Sequence, residues 1–500
     1  MRPTRLAVWS LAAFVALSPA LAQDAAKPAA KPQATEAGQS RDLPADVTTE
    51  HALGIGDRAI RYTATAGTLP MTNDKGETIA KIFYVAYTVA GPDRPVSFIF
   101  NGGPGAASAF LHLGAIGPRV LNFSENGAIP ESPVALSDNP DSWLPFTDLV
   151  FVDPVGTGFS RGSGSGEEAE KAFYGVEKDA DAMTDFARLY LTRNGRNLSN
   201  VYVVGESYGG FRAALLSNRL LKEGVQVKGT ILISPALEFS MIRGDEFALV
   251  PLALKLPSIA ASYIEKSQGY NASLEPVAEV ESFARSDYLV QLVNGLKVDD
   301  ATLDKLTRMT GLDREVLARN HGRVTADLFR REYLQKEDRT ISLYDGSVSL
   351  PMPRPAYRSR LDPILDSAVN VLTPLMVDYA RDDLGYRTDL PYNLLNRELS
   401  QRWDFGTTPS RQGYAGSLDE LQNARTLNRN LKVFVAHGYT DLVTPYGVSQ
   451  FLVDQLEPID GARPIDMRVY RGGHMMYMRP ASRALLTKDV RALYEDWRKT

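Results

Sequence analysis

At 500 residues, with 44% hydrophobic side chains and a formal charge of −5, the chain can bury a large core and has no basic block of the kind that tracks nucleic acid. The absence of any cysteine excludes a disulfide framework, a thiolate metal site and a cysteine nucleophile together. No stretch reaches the ~18 consecutive apolar residues of a membrane-spanning helix, so stable membrane insertion is not expected.

In chain order, Arg2 and Arg5 precede an apolar run over 6–17 and then Ala20-Leu21-Ala22, the pattern of a secretory signal peptide over 1–22. Residues 23–45, rich in Ala, Pro, Lys and Gln, hold too little apolar surface to order themselves and read as a flexible leader. Export without cysteine fits a bacterial periplasm better than a eukaryotic secretory route.

Short β-rich apolar runs follow at 96–100, 149–152, 201–204 and 230–233, each followed within two residues by Gly, Pro, Asp or Ser, as in strands covered on both faces. Between two of them Val176, Met183, Phe186, Ala187 and Tyr190 share one side of a helix. Strands alternating with helices predict a mostly parallel α/β sheet, with 46–235 as its first part. Over 236–414 helix-like segments such as 251–265 and 301–320 alternate with Pro- and Arg-rich stretches, which predicts a largely helical cap insertion. Strand signals return at 431–436 and 466–470 and a last amphipathic helix covers 481–497, so 415–500 resumes the core. There is no internal repeat at a fixed period.

Gly-x-Ser-x-Gly occurs twice, around Ser207 and around Ser160. A nucleophile elbow needs a strand entering, a turn tight enough to demand glycine, and a helix leaving. Ser207 follows the run 201–204 and precedes Gly209-Gly210 and a helical run over 211–221. After Ser160 comes only Gly162-Ser163-Gly164-Ser165-Gly166, with no helix start.

A serine hydroxyl needs a histidine base steadied by a carboxylate. Of five histidines, His51 lies near the leader, His112 in an apolar stretch and His321 in the insertion. His437 and His474 remain. His474, in Gly472-Gly473-His474-Met475 near the C-terminus, fits the order serine, acid, histidine, with Asp441 as the acid. His437 shares a loop with Asp441 and is the rival base. Asn101-Gly102-Gly103-Pro104-Gly105, after the run 96–100, can present backbone N–H groups to a developing oxyanion, each worth roughly 3 kcal/mol; its alternative is a structural turn.

Four separated segments, Asn101–Gly105, Asp153-Pro154-Val155-Gly156-Thr157-Gly158-Phe159-Ser160, Gly205-Glu206-Ser207-Tyr208-Gly209-Gly210 and Gly472–Met475, resemble the serine carboxypeptidase family of the α/β-hydrolase fold. The resemblance implies that Gly103 and Tyr208 N–H form the oxyanion hole, that Asn101, Gly102 and Glu206 bind the C-terminal carboxylate of a peptide substrate, that Ser160 is structural, and that the insertion is a cap. To donate a hydrogen bond to that carboxylate Glu206 has to be protonated, which predicts activity at acid pH. The sequence departs from the family at Ala115, where members usually carry a second acidic residue, and at Ala106, where a cysteine is common.

The expected function is therefore an exported serine carboxypeptidase acting through an acyl-enzyme on Ser207, with Asp441 and His474 completing the triad and no metal or cofactor required by any step. The alternatives are an esterase, amidase or acyltransferase on the same scaffold, for which Ala115 is the best support, and a catalytically silent binding protein.

Overall fold

The computed structural model describes residues 43–130, 133–163, 168–242, 247–352, 361–406 and 415–495. The proposed signal peptide and all of the proposed leader before Leu43 lie outside them. Leu43 itself is buried, so the end of the segment read as flexible is packed.

Among the described residues the chain builds one sheet of ten strands. It opens with three long antiparallel strands, β1 (Val47–Ile55), β2 (Arg58–Thr72) and β3 (Thr78–Thr88). β4 (Val96–Phe100), β5 (Asp148–Val152), β6 (Val201–Glu206), β7 (Val227–Ile233), β8 (Lys432–Gly438) and β9 (Asp466–Tyr470) follow. The spatial order is β1-β2-β3-β5-β4-β6-β7-β8-β9, with the short strand Arg161–Gly162 beside β3. All pairings from β5 to β9 are parallel. The expected mostly parallel sheet is present, extended by an antiparallel wing.

The central strands are buried on both faces because alternate side chains point to opposite layers. Tyr202 and Val204 of β6 enter one hydrophobic cluster, and Val201 and Val203 the other. The helices α1 (Val176–Arg193) and α2 (Tyr208–Lys222) supply Met183, Phe186, Phe211 and Leu215 to the second cluster.

Within 236–414 the described residues hold mainly helices, a two-stranded hairpin (Arg339–Ile341 with Ser349–Pro351) and a separate cluster that includes Leu256, Phe283, Tyr288 and Leu306. Leu442, next to Asp441, joins that cluster from the core. The helix expected over 251–265 is two, Leu249–Leu254 and Leu256–Gln268, parted where Pro257 opens the second, since proline suits a first turn but not a helix interior. The helix expected over 301–320 is also two, Asp300–Thr310 and Arg314–Arg319. Gly311, at φ 69°, closes the first with its N–H on Thr307 O. Among the described residues no helix is long and apolar enough to cross a membrane.

Candidate active site

The carboxyl ends of the parallel strands converge on one edge: Phe100 of β4 pairs with Gly205 of β6, and Ile233 of β7 with both Glu206 and Ala436 of β8. Loops leaving that edge carry Asn101, Ser207, Ser234, Asp441 and His474, where ligands bind in sheets of this kind.

Ser207 sits between β6 and α2 at φ 59° and ψ −124°, a conformation side chains rarely adopt and one that lifts the hydroxyl out of the turn. The turn is held by Ser207 N donating to Ile233 O at 2.9 Å and by Gly210 N donating to Ser207 O at 2.9 Å. A Cβ at Gly205 would stand 1.8 Å from Gly209 O, so only glycine fits. Ser160 is placed differently: its buried hydroxyl accepts from Phe83 N at 2.7 Å and donates to Asp153 O at 2.5 Å. It closes the loop after β5 on itself and ties it to β3.

The buried Asp441 accepts from Val443 N at 2.8 Å and Thr444 N at 2.9 Å on Oδ1, and from Thr444 Oγ1 at 2.7 Å and His474 Nδ1 at 2.9 Å on Oδ2. Thr444 Oγ1 also lies 3.0 Å from His474 Nδ1. Burial alone would push Asp441 up and His474 down. The mutual charge and hydrogen bond outweigh it, so Asp441 is held below the usual carboxylate range and His474 above the usual imidazole range. The histidine is fixed by its backbone too. His474 N donates to Tyr344 O at 2.6 Å, His474 O accepts from Ser234 Oγ at 2.8 Å, and the Tyr344 ring stands edge-on to the imidazole at 5.1 Å. His437, fully buried at the end of β8, is pushed down to about 4 by that burial. His112 is also buried, with its ring stacked on Phe151 and Nε2 2.6 Å from the Tyr87 hydroxyl.

The loop after β4 runs against Ser207: a Cβ at Gly102 would stand 2.5 Å from Tyr208 N and 2.9 Å from Ser207 Cβ. Tyr208 opens α2, so its N–H has no carbonyl one turn earlier to bond. The buried Asn101 accepts from Leu111 N at 3.0 Å through Oδ1 and donates through Nδ2 to Glu206 Oε2 at 2.6 Å. Its carbonyl accepts from Arg212 at 2.8 Å, and Arg212 is paired with the buried Asp179 at 2.6 Å. Glu206 Oε1 accepts from the Tyr477 hydroxyl at 3.0 Å. Burial foremost raises Glu206, against the His474 charge and the two donors, which lower it. One pocket is lined by Gly102, Gly103, Ala106, Phe110, Glu206, Ser207, Tyr344, Leu365, Leu395, His474 and Met475, which brings together the sequence-derived nucleophile and base, the loop after β4 and Glu206.

Sequence reasoning missed Thr444, Tyr344 and Tyr477. Tyr477 lies three positions after His474, and the Thr444 hydroxyl is three after Asp441; both spacings were visible, but only burial shows that the side chains turn inward. Ala115 is buried in the turn His112–Ile116, and the ring of Tyr477 lies over the neighbouring Gly114, whose Cβ would stand 3.3 Å from Tyr477 Cε2. Among the described residues no group of three or more His, Asp or Glu could hold a metal ion.

A mostly parallel sheet with a strand–serine–helix elbow defines the α/β-hydrolase fold. The crystal structure of Kex1, a prohormone-processing carboxypeptidase of Saccharomyces cerevisiae, aligns with 87% of this chain and 91% of its own at a TM-score of 0.55 and 16% identity. Residues 59–238 match the model of the serine carboxypeptidase family, and three of the four motif segments fall within them. Carboxypeptidase sxa2 of Schizosaccharomyces pombe is 31% identical over 185 residues, 35% of this chain and 32% of that protein. A carboxypeptidase Y homolog of Arthroderma benhamiae is 27% identical over 165 residues, 32% of this chain and 30% of that protein. The match therefore spans about a third of the length of these curated relatives.

Proposed function

We propose that this protein is an exported serine carboxypeptidase. The observation that carries the reading is Glu206, which lines the same pocket as Ser207 and His474 and accepts from the buried Asn101 amide at 2.6 Å: a protonated acid backed by an amide donor suits a peptide's terminal carboxylate, and an ester or internal bond has no use for them. Ser207 Oγ attacks the last peptide carbonyl while His474 takes its proton. Asp441 orients the ring and stabilises the imidazolium. Gly103 and Tyr208 N–H groups stabilise the oxyanion. His474 then protonates the departing amino group, the C-terminal residue leaves, and water, deprotonated by the same histidine, releases the shortened peptide from Ser207.

Asn101, Gly102 and Glu206 hold the terminal carboxylate, and the insertion over 236–414 serves as the cap. Peptides with a free C-terminus are the substrates. The alanine at 115 favours a second reading, an esterase, amidase or acyltransferase on the same triad. Protection of Ser207 from a fluorophosphonate probe separates the two. A blocked peptide acid protects and its amide does not if the first holds; equal protection by both contradicts it.

A further inference from the structure

Glu206 and Tyr477 are 5% and 1% exposed, and each Glu206 oxygen already faces a donor, Asn101 on Oε2 and Tyr477 on Oε1. Two donors favour the ionised form, whereas binding a substrate carboxylate requires the protonated one. Asn101 cannot relax this conflict. Its Oδ1 is committed to Leu111 N, which fixes Nδ2 toward Glu206. A phenol can, because it donates to a carboxylate and accepts from a carboxylic acid. The Tyr477 ring is held against Gly114, so the hydroxyl stays at Oε1. The other titratable groups around Glu206 are His474, Asp441 and Tyr344.

Resting on the carboxypeptidase reading, we propose that Tyr477 is a positioning residue for Glu206, whose bond to Oε1 sets the pH at which the site stops accepting a free C-terminal carboxylate. With Tyr477→Phe the ionised form loses a donor, so Glu206 keeps its proton to higher pH.

The test compares kcat/KM for a blocked dipeptide and for its C-terminal amide between pH ~4 and ~8, in the mature protein and in Tyr477→Phe. Both substrates need neutral His474, so their ratio falls with pH through Glu206 alone. The midpoint of that fall is expected to move up by about one pH unit in the variant, while the amide profile moves less and in the opposite direction, because His474 loses part of the Glu206 charge that raises it. A stationary midpoint, or an equal displacement of the amide profile, overturns the proposal. A wild-type enzyme that never prefers the acid defeats the carboxypeptidase reading itself and the proposal with it, and the wild-type curves alone reveal this. Should the variant not fold, wild-type protein with carbon-13-labelled Tyr and Glu gives the answer. The Tyr477 Cζ and Glu206 carboxyl resonances shift at one common pH if the bond is as proposed, and at unrelated pH values if it is not.

Discussion

The backbone N–H of His474 donates to the carbonyl of Tyr344 at 2.6 Å, which fastens the loop after β9 to the mainly helical segment 236–414. Asp345, the next residue, locks this junction: it accepts from Thr440 at 2.7 Å, from the Ser347 hydroxyl at 2.6 Å and from Arg479 at 3.0 Å. Asp345→Ala removes the acceptor shared by these donors and leaves Arg479 paired with Glu265 alone among the acids, and breaking into a buried charged network of this kind costs about 3 kcal/mol. Thermal unfolding should show a Tm several degrees lower, with slower fluorophosphonate labelling of Ser207.

Thr444 touches both Asp441 and His474. Thr444→Val keeps the shape and removes the hydroxyl, a loss of roughly 1.5–3 kcal/mol for a hydrogen bond to a charged group. Steady-state kinetics should show kcat down about 10- to 100-fold with KM nearly unchanged.

The rival base gives a sharper contrast. His474 bonds Asp441, while His437 is buried and neutral above about 4. His474→Gln should lower kcat by ~10⁴ or more, and Ser207→Ala combined with it should cost no more than either alone. His437→Gln should cost less than about tenfold.

Glu206 makes stability depend on pH. Its folded pKa is raised, so the native state binds the proton more tightly than the unfolded chain does. That contribution is fully present below the unfolded carboxylate range and is lost as pH rises through the folded value. Glu206→Gln carries no such loss, because the amide can accept from Asn101 and donate to the Tyr477 hydroxyl. The Tm of the variant relative to wild type should therefore climb from pH ~4 to ~7, while its preference for a free acid over an amide substrate falls about 10- to 100-fold.

The parallel strands are legible because each is a continuous apolar run buried on both faces, and Ser207 because strand, glycine turn and helix follow one another without a gap. The antiparallel wing escapes notice for the opposite reason. β1 exposes alternate residues and offers Thr, Glu and His with few large apolar side chains, so its pairing with β2 carries it. Tyr477 and Tyr344 escape because their roles come from contacts with Glu206 and His474, which lie 271 residues away along the chain in the first case and are fixed only when the sheet brings the loops to one edge.

The most direct test is release of the last residue from a blocked dipeptide and from its C-terminal amide, by the wild-type protein and by Ser207→Ala, across acid to neutral pH. The account predicts faster release from the free acid, strongest at low pH and absent in the variant. Equal rates on acid and amide, or cleavage of esters alone, would contradict it.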